Sequence, residues 1–170
     1  MLFSETTRAI ILSGSLVLLT ACDRLPMDPT TLEAGTASAS IDGQPWSSRK
    51  ATWVSTGDSL QINTMQAGGW WITLVAQRTE EGVSIREAIE AASGDPDARE
   101  RIPLLDGDAG GFATLYRTEG SSLTTADGGG TLWITQANDN EIQGCFEFDA
   151  IDREGEQVAV RRGGFRSAPL

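Results

Sequence analysis

The chain of 170 residues contains no histidine. Histidine is the most frequent general base and the commonest metal ligand, so no imidazole can fill either role here. Its absence also excludes the Ser-His-Asp triad and the Cys-His pair, since both mechanisms depend on that ring. We therefore predict that the protein is not an enzyme and that it holds no metal and no cofactor.

Cysteine is nearly absent as well, because the chain has only two, Cys22 and Cys145. The sequence around Cys22 predicts that its sulfur carries a lipid, as described below. Cys145 is then left without a partner for an intramolecular disulfide. The folded part of the chain must therefore be stabilised by packing.

Basic residues are few, since 13 Lys and Arg stand against 24 Asp and Glu and give a net charge of −11. A surface of this sign repels the phosphate backbone of nucleic acids. We therefore predict no nucleic-acid partner. Solubility is a sufficient explanation for the acidity itself.

A long apolar run is also lacking at the amino terminus. Residues 9–19, "AIILSGSLVLL", are apolar with small interruptions, but a membrane-spanning helix needs about 20 such residues. The run is typical of the hydrophobic centre of a secretory signal peptide. It follows Arg8 and the free amino group, which give the weakly positive start of such a peptide.

The residues after this run, Leu19, Thr20, Ala21 and Cys22, resemble the lipobox of bacterial lipoproteins. The resemblance implies that Cys22 receives a diacylglycerol thioether, that the leader is cut before it, and that the new amino terminus is acylated. Two acyl chains are enough for stable attachment to a bilayer. Asp23 resembles the signal that retains enteric lipoproteins in the inner membrane, while the outer membrane remains open as an alternative. We expect a cell-membrane protein facing the periplasm.

Three regions follow from this assignment. Residues 1–21 are predicted to be a lipoprotein signal peptide. Residues 22–36 contain the lipidated cysteine and a flexible tether, because they hold Pro26 and Pro29 and show no apolar period. Residues 37–170 are predicted to form one β-rich globular domain, since their length is sufficient for a single core.

Alternation of apolar and polar residues predicts strands through most of this domain. Asp42-Gly43 and Gly57-Asp58 are hairpin signals, and residues 119–130 indicate a mobile turn or an edge. The predicted strands are 37–41, 50–56, 59–64, 70–77, 111–117, 131–136, 141–150 and 157–165.

One segment has a helical pattern instead. Ser84 and Glu87 have the capping-box spacing, and Ile85 and Ile89 lie four residues apart. We predict a helix over 85–92, followed by a charged loop over 94–101. Eight or nine strands with one short helix indicate a mainly β fold, a single antiparallel sandwich or small barrel.

Four stretches carry a resemblance to a known group. "IDGQPW" (41–46) is similar to the opening hairpin of small β-rich bacterial lipoproteins of an uncharacterised family. "GGTLWIT" (129–135), "IQGCFEFDA" (142–150) and "VAVRRGGF" (158–165) are similar to their closing strands. The resemblance implies the architecture and the membrane address, and no catalytic residues.

The tripeptide Trp-Ile-Thr occurs at 71–73 and again at 133–135. Alternation places the two indoles on the strand face opposite Ile72 and Ile134. Trp71 and Trp133, together with Trp53, are therefore a candidate binding patch for a glycan or a protein. The alternative is that both faces are covered and the indoles only pack.

These observations favour a membrane-anchored lipoprotein with a non-catalytic interaction domain. A first alternative is a carrier of a small apolar ligand inside a barrel, which a core filled by Ile72, Leu132, Ile134, Phe146 and Phe148 would oppose. A second is a glycosidase with paired carboxylates such as Glu147 and Asp149, which would need a cleft between them.

Overall fold

The computed structural model describes residues 27–66, 69–79, 81–92, 100–104, 110–117 and 120–170. The predicted signal peptide, Cys22 and Asp23 lie outside these ranges. The helix found within them is too short to cross a bilayer.

Ten strands and one α-helix make up the described part of the chain. They are β1 (Thr36–Ile41), β2 (Gln44–Ser48), β3 (Lys50–Thr56), β4 (Ser59–Met65), β5 (Trp71–Ala76), α1 (Ile85–Ala92), β6 (Glu100–Leu104), β7 (Gly111–Tyr116), β8 (Ser122–Asn138), β9 (Glu141–Ile151) and β10 (Gln157–Pro169). The predicted mainly β fold with one short helix is confirmed.

The strands form one sheet that closes on itself. Their order is β2-β1-β10-β3-β4-β5-β7-β6-β8-β9, and β9 also pairs with β10. This last pairing closes the strands from β10 to β9 into a small barrel. The β1–β2 hairpin extends from it, because β1 pairs with β10. The pairing is antiparallel except between β3 and β10 and between β6 and β7, which are short parallel contacts.

Alternation along the strands fills the barrel with apolar side chains. The five residues whose burial tests for a filled core are all at most 1% exposed: Ile72, Leu132, Ile134, Phe146 and Phe148. Other fully buried side chains are Phe165, Leu60, Ile62, Leu74, Ile102, Leu104, Leu115 and Leu123. Burial of this apolar surface is the main driving force for the fold.

The helix α1 closes one end of the barrel. Its bounds match the prediction, and the Ser84 hydroxyl accepts a hydrogen bond from the Glu87 backbone nitrogen at 3.4 Å. Ile85 and Ala88 are buried. The helix contacts β4, β6 and β8. Because these strands are spread around the ring, the helix covers the end of the barrel interior.

Two strand predictions were wrong. The segment 119–130, predicted as a mobile turn or an edge, is part of a paired strand from Ser122 onward, because Leu123 points inward opposite Leu115 and extends β8 back to Ser122. The strand β6 begins inside the predicted charged loop. Ile102 and Leu104 are both fully buried, but Pro103 and the charges before them hide the alternation in the sequence.

The predicted flexible tether also differs from the structure over residues 27–35. A 3₁₀ turn at Pro29–Thr31 is capped by the Asp28 side chain, and Pro29 is buried. The Ser38 hydroxyl donates to the Met27 sulfur at 3.2 Å, and Arg166 donates to the Leu32 carbonyl at 2.9 Å. These contacts fix the segment against β1 and β10.

Candidate functional site

A row of four side chains crosses the outer wall of the barrel. Lys50 on β3 lies opposite Met65 on β4, Met65 lies opposite Trp71 on β5, and Trp71 lies opposite Tyr116 on β7. Directly opposed residues share one face of a sheet. With strands about 4.8 Å apart, the row is about 14 Å long.

The middle of the row is unusually exposed for its residue types. Met65 is 41% exposed and Trp71 is 43% exposed. The Trp71 and Tyr116 rings meet edge to face, with centroids 5.3 Å apart and planes at 75°. Because the rings are nearly perpendicular, they form an open aromatic corner.

A polar ladder borders this corner on the next row of the same face. The Asn63 side-chain oxygen accepts hydrogen bonds from the Gln61 amide at 2.9 Å and from the Thr73 hydroxyl at 3.1 Å. These bonds fix all three side chains. They leave the Gln61 carbonyl oxygen and the Asn63 amide nitrogen without a hydrogen-bond partner in the described part of the chain.

Two surface cavities meet at Met65. The first, of about 350 Å³, is lined by Gln61, Asn63, Thr64, Met65, Trp71, Thr73 and Tyr116. The second, of about 480 Å³, is lined by Ser47, Arg49, Lys50, Met65 and Gln66. We call the two together the outer groove. Among the described residues its lining contains no carboxylate, although the chain carries 24 acidic residues.

The two cations at one end of the groove have no ionic partner. The side chains of Arg49 and Lys50 are exposed, and neither makes an ion pair with any described residue. Three other arginines are neutralised, in the pairs Arg117–Glu156, Arg161–Asp149 and Arg166–Glu141. The groove therefore has a basic end on an acidic protein, which favours an anionic group there.

Residues behind the groove hold Trp71 in place. The Trp46 indole nitrogen donates to the Trp70 carbonyl at 3.0 Å, at the residue before β5. The Arg117 guanidinium stacks over the Trp70 ring at 5.0 Å and forms an ion pair with Glu156. The hydrogen bond from Arg117 lowers the pKa of Glu156 below its ordinary value. These contacts anchor the start of β5 and so position the aromatic corner.

The structure does not bring the three predicted tryptophans together. Trp71 faces outward, as alternation predicted. Including Trp53 in the patch was wrong, because it lies opposite Ile62 on the inner face and packs against the core. Its indole nitrogen is buried without a hydrogen-bond partner among the described residues.

Trp133 also faces outward but lies elsewhere on the wall. It is opposite Cys145 and Arg101, whereas Ser122 is the β8 residue opposite Tyr116. On β9 the residues opposite Thr124 and Trp133 are Ile151 and Cys145, which are six residues or about 20 Å apart. Trp71 is instead next to Tyr116 and Met65. These neighbours are determined by the register between strands, which alternation in the sequence does not predict.

Cys145 lies on the outward side of β9, opposite Trp133, but it is fully buried. Burial leaves this thiol inaccessible to a partner. The predicted lipidation residue Cys22 and the signal residues Leu19, Thr20, Ala21 and Asp23 lie outside the described residues.

The paired carboxylates of the glycosidase alternative share a cleft. Glu147 and Asp149 both line a cavity of about 380 Å³, together with Arg101 and Arg161. However, Arg161 forms an ion pair with Asp149 and donates to the Phe148 carbonyl at 2.8 Å. The Asp149 carboxylate is therefore held by Arg161 rather than left open to a ligand in this cleft.

Within the described ranges, no group of three or more Cys, Asp or Glu side chains is arranged to hold a metal ion. Comparisons with family models, with curated proteins and with solved structures find no match to this chain.

Proposed function

We propose that the protein is a lipid-anchored, non-enzymatic binding module that uses the outer groove to hold a partner at a membrane surface. The observation that carries this proposal is the exposed Trp71–Tyr116 corner beside the Gln61–Asn63–Thr73 ladder. Binding sites commonly combine aromatic surface with a few fixed polar groups. Exposed aromatic side chains are also enriched among the residues that dominate binding energy.

The position of the amino-terminal segment supports a groove that stays accessible at a membrane. Residues 29–31 contact β9 and β10, whereas the aromatic corner of Trp71 and Tyr116 lies on β5 and β7, on the opposite wall of the ring. The basic end of the groove lies nearer this segment, because Ser47 is opposite Ser38, whose hydroxyl donates to the Met27 sulfur. Cys22 precedes Met27 by five residues, which reach at most about 18 Å. A lipid on Cys22 would hold the β9–β10 wall toward the bilayer and leave the aromatic corner on the far side of the ring.

Photo-crosslinking in the membrane-bound protein tests this proposal. A photoreactive amino acid replaces Gln66, which lines the groove, and in a matched control it replaces Glu154 in the exposed turn before β10. We expect an adduct from position 66 that disappears when Trp71→Ala is added, and none from position 154. Equal labelling at both positions, or labelling that is insensitive to Trp71→Ala, would overturn the proposal.

The two alternatives have less support. The apolar carrier needs an internal cavity, but the side chains of Phe146, Phe148 and Phe165 fill the interior and are at most 1% exposed. The glycosidase has its cleft, but Asp149 is held in an ion pair. Hydrolysis of a glycoside panel by the purified domain, abolished by Glu147→Gln, would establish the glycosidase and contradict a non-enzymatic role.

A further inference from the structure

We propose that the outer groove binds an acidic glycan, with one sugar ring stacked on Trp71 and the carboxylate of a neighbouring sugar held by Arg49 and Lys50. This inference rests on the proposed function and specifies its ligand. It depends on three properties of the groove: an open aromatic corner, a fixed polar ladder and a basic end.

The aromatic corner suits the flat, weakly polar face of a pyranose ring. Trp71 presents almost half of its surface to solvent, and Tyr116 stands at 75° to it as a side wall. An aromatic face carries negative charge density and attracts the slightly positive C–H groups of a sugar. An apolar peptide side chain would not need the polar ladder beside this corner.

The ladder supplies hydrogen bonds of both kinds to hydroxyl groups. Gln61 offers an unused carbonyl oxygen and Asn63 an unused amide nitrogen, and Thr73 offers the remaining lone pairs of its hydroxyl. A sugar hydroxyl both donates and accepts, so it can satisfy either amide atom. The existing bonds among the three side chains hold these atoms in place before a ligand arrives.

The basic end selects a negative charge on the ligand. Arg49 and Lys50 line the groove without ion pairs to described residues, while Met65 connects them to the aromatic corner. Two interstrand spacings, about 10 Å, separate the Cα atoms of Lys50 and Trp71. That distance exceeds the width of one ring, so the stacked sugar and the charged sugar are different units of one chain.

The charge of the whole protein disfavours two other anionic ligands. A net charge of −11 repels the uniformly charged backbone of nucleic acids. The same net charge repels the anionic surface of a bilayer. A glycan with carboxylates on only some positions can place one at the basic end and neutral rings along the rest.

Calorimetric titration of the soluble domain, residues 22–170 with Cys22→Ser, tests the inference. The probes are a hexasaccharide in which glucuronic acid alternates with a neutral sugar, a muramic-acid tetrasaccharide, and the methyl esters of both. We expect at least one acid form to bind, its ester to bind at least tenfold more weakly, and added salt to weaken the acid form. A glutamate hexapeptide should not bind.

Variants assign the binding to the groove. Trp71→Ala and Lys50→Gln are each expected to weaken the acid form at least tenfold, and Lys50→Gln should leave the ester unaffected. Phe112→Ala is the matched control, since Phe112 is 36% exposed on β7 but does not line the groove. Circular dichroism melting of each variant confirms that it is folded.

The outcomes separate this inference from the proposed function. Any of three results would overturn the glycan assignment. They are failure of every acid saccharide to bind, equal binding of acids and esters, and tighter binding of the glutamate peptide. If the Trp71-dependent crosslink from position 66 persists in those cases, the groove is still a binding site for another ligand. If that crosslink is absent as well, both proposals fail.

Discussion

At the residue scale, several glycines are required because strands pass too closely for a side chain. At Gly130 a β-carbon would fall on the Glu147 carbonyl oxygen and against the Phe148 β-carbon. Backbone atoms cannot move aside as the end of a flexible side chain can. The tight contact of β8 with β9 therefore depends on glycine at this position.

We expect Gly130→Ala to destabilise the domain by about 1–3 kcal/mol, as overpacking in a filled core usually does. Urea unfolding followed by tryptophan fluorescence measures the change. Thr124→Ala, at an exposed position of the same strand, is the control and should have little effect. Equal stability of the glycine variant and the control would contradict the described contact of β8 with β9.

The Arg117–Glu156 pair gives a pH dependence whose sign can be stated. The pKa of Glu156 is lowered from 4.5 by the hydrogen bond from Arg117. The stabilisation is therefore fully present above that value and is lost as the pH falls through the lowered pKa. Glu156 is exposed, so the effect is small.

Replacing Glu156 with glutamine should therefore lower the melting temperature slightly at pH 7 and leave it unchanged at pH 2. The measurement is thermal melting of both proteins across this pH range. Glu154→Gln, an exposed position in the same turn, is the control and should follow the parent at every pH. A difference that grows on acidification would contradict the assignment.

At the scale of single elements, local signals predict structure where they are sufficient by themselves. The helix α1 has its cap and its apolar spacing within eight residues, and the structure places it at Ile85–Ala92. The β1–β2 turn has Asp42 and Gly43 at φ of 48° and 77°, the left-handed conformation that this pair of residues adopts readily.

Elements that depend on distant partners are not predicted in this way. The first half of β8 reads as a Gly- and Thr-rich loop, and becomes a strand because β7 and β9 pair with it. The inward position of Trp53 likewise depends on which face of β3 points into the barrel, and that is decided by the pairing of distant strands. The outer groove could not be predicted from the sequence for the same reason. Its row of four side chains comes from strands as far apart in the chain as those of Lys50 and Tyr116.

The helix α1 should be necessary for the stability of the barrel, because Ile85 is buried under it with 1% exposure. We expect Ile85→Ala to cost about 2–5 kcal/mol, the usual range for removing a buried aliphatic side chain. Urea unfolding measures this cost. Glu90→Ala, on the exposed side of the same helix, should change the stability by less than about 0.5 kcal/mol.

At the scale of the whole molecule, an acidic barrel presents a groove whose described lining residues include no carboxylate, and whose aromatic corner lies across the ring from β9 and β10. Alternation of apolar and polar residues predicted the β class, which the structure confirms, while the absence of a nucleic-acid partner stays a prediction from the net charge. The sheet is a closed barrel rather than a sandwich because β9 pairs with β10. This pairing closes the ring, since β10 also contacts β3 at the other end of the series. No local pattern encodes that closure.

The proposed attachment to a membrane through Cys22 would determine where this groove acts, and mass spectrometry of protein from its native host tests it most directly. We predict an amino-terminal peptide that begins at Cys22, carries diacylglycerol on the sulfur and lacks residues 1–21. A peptide with an unmodified Cys22 thiol and the leader still attached would contradict a lipid-anchored role at the membrane surface.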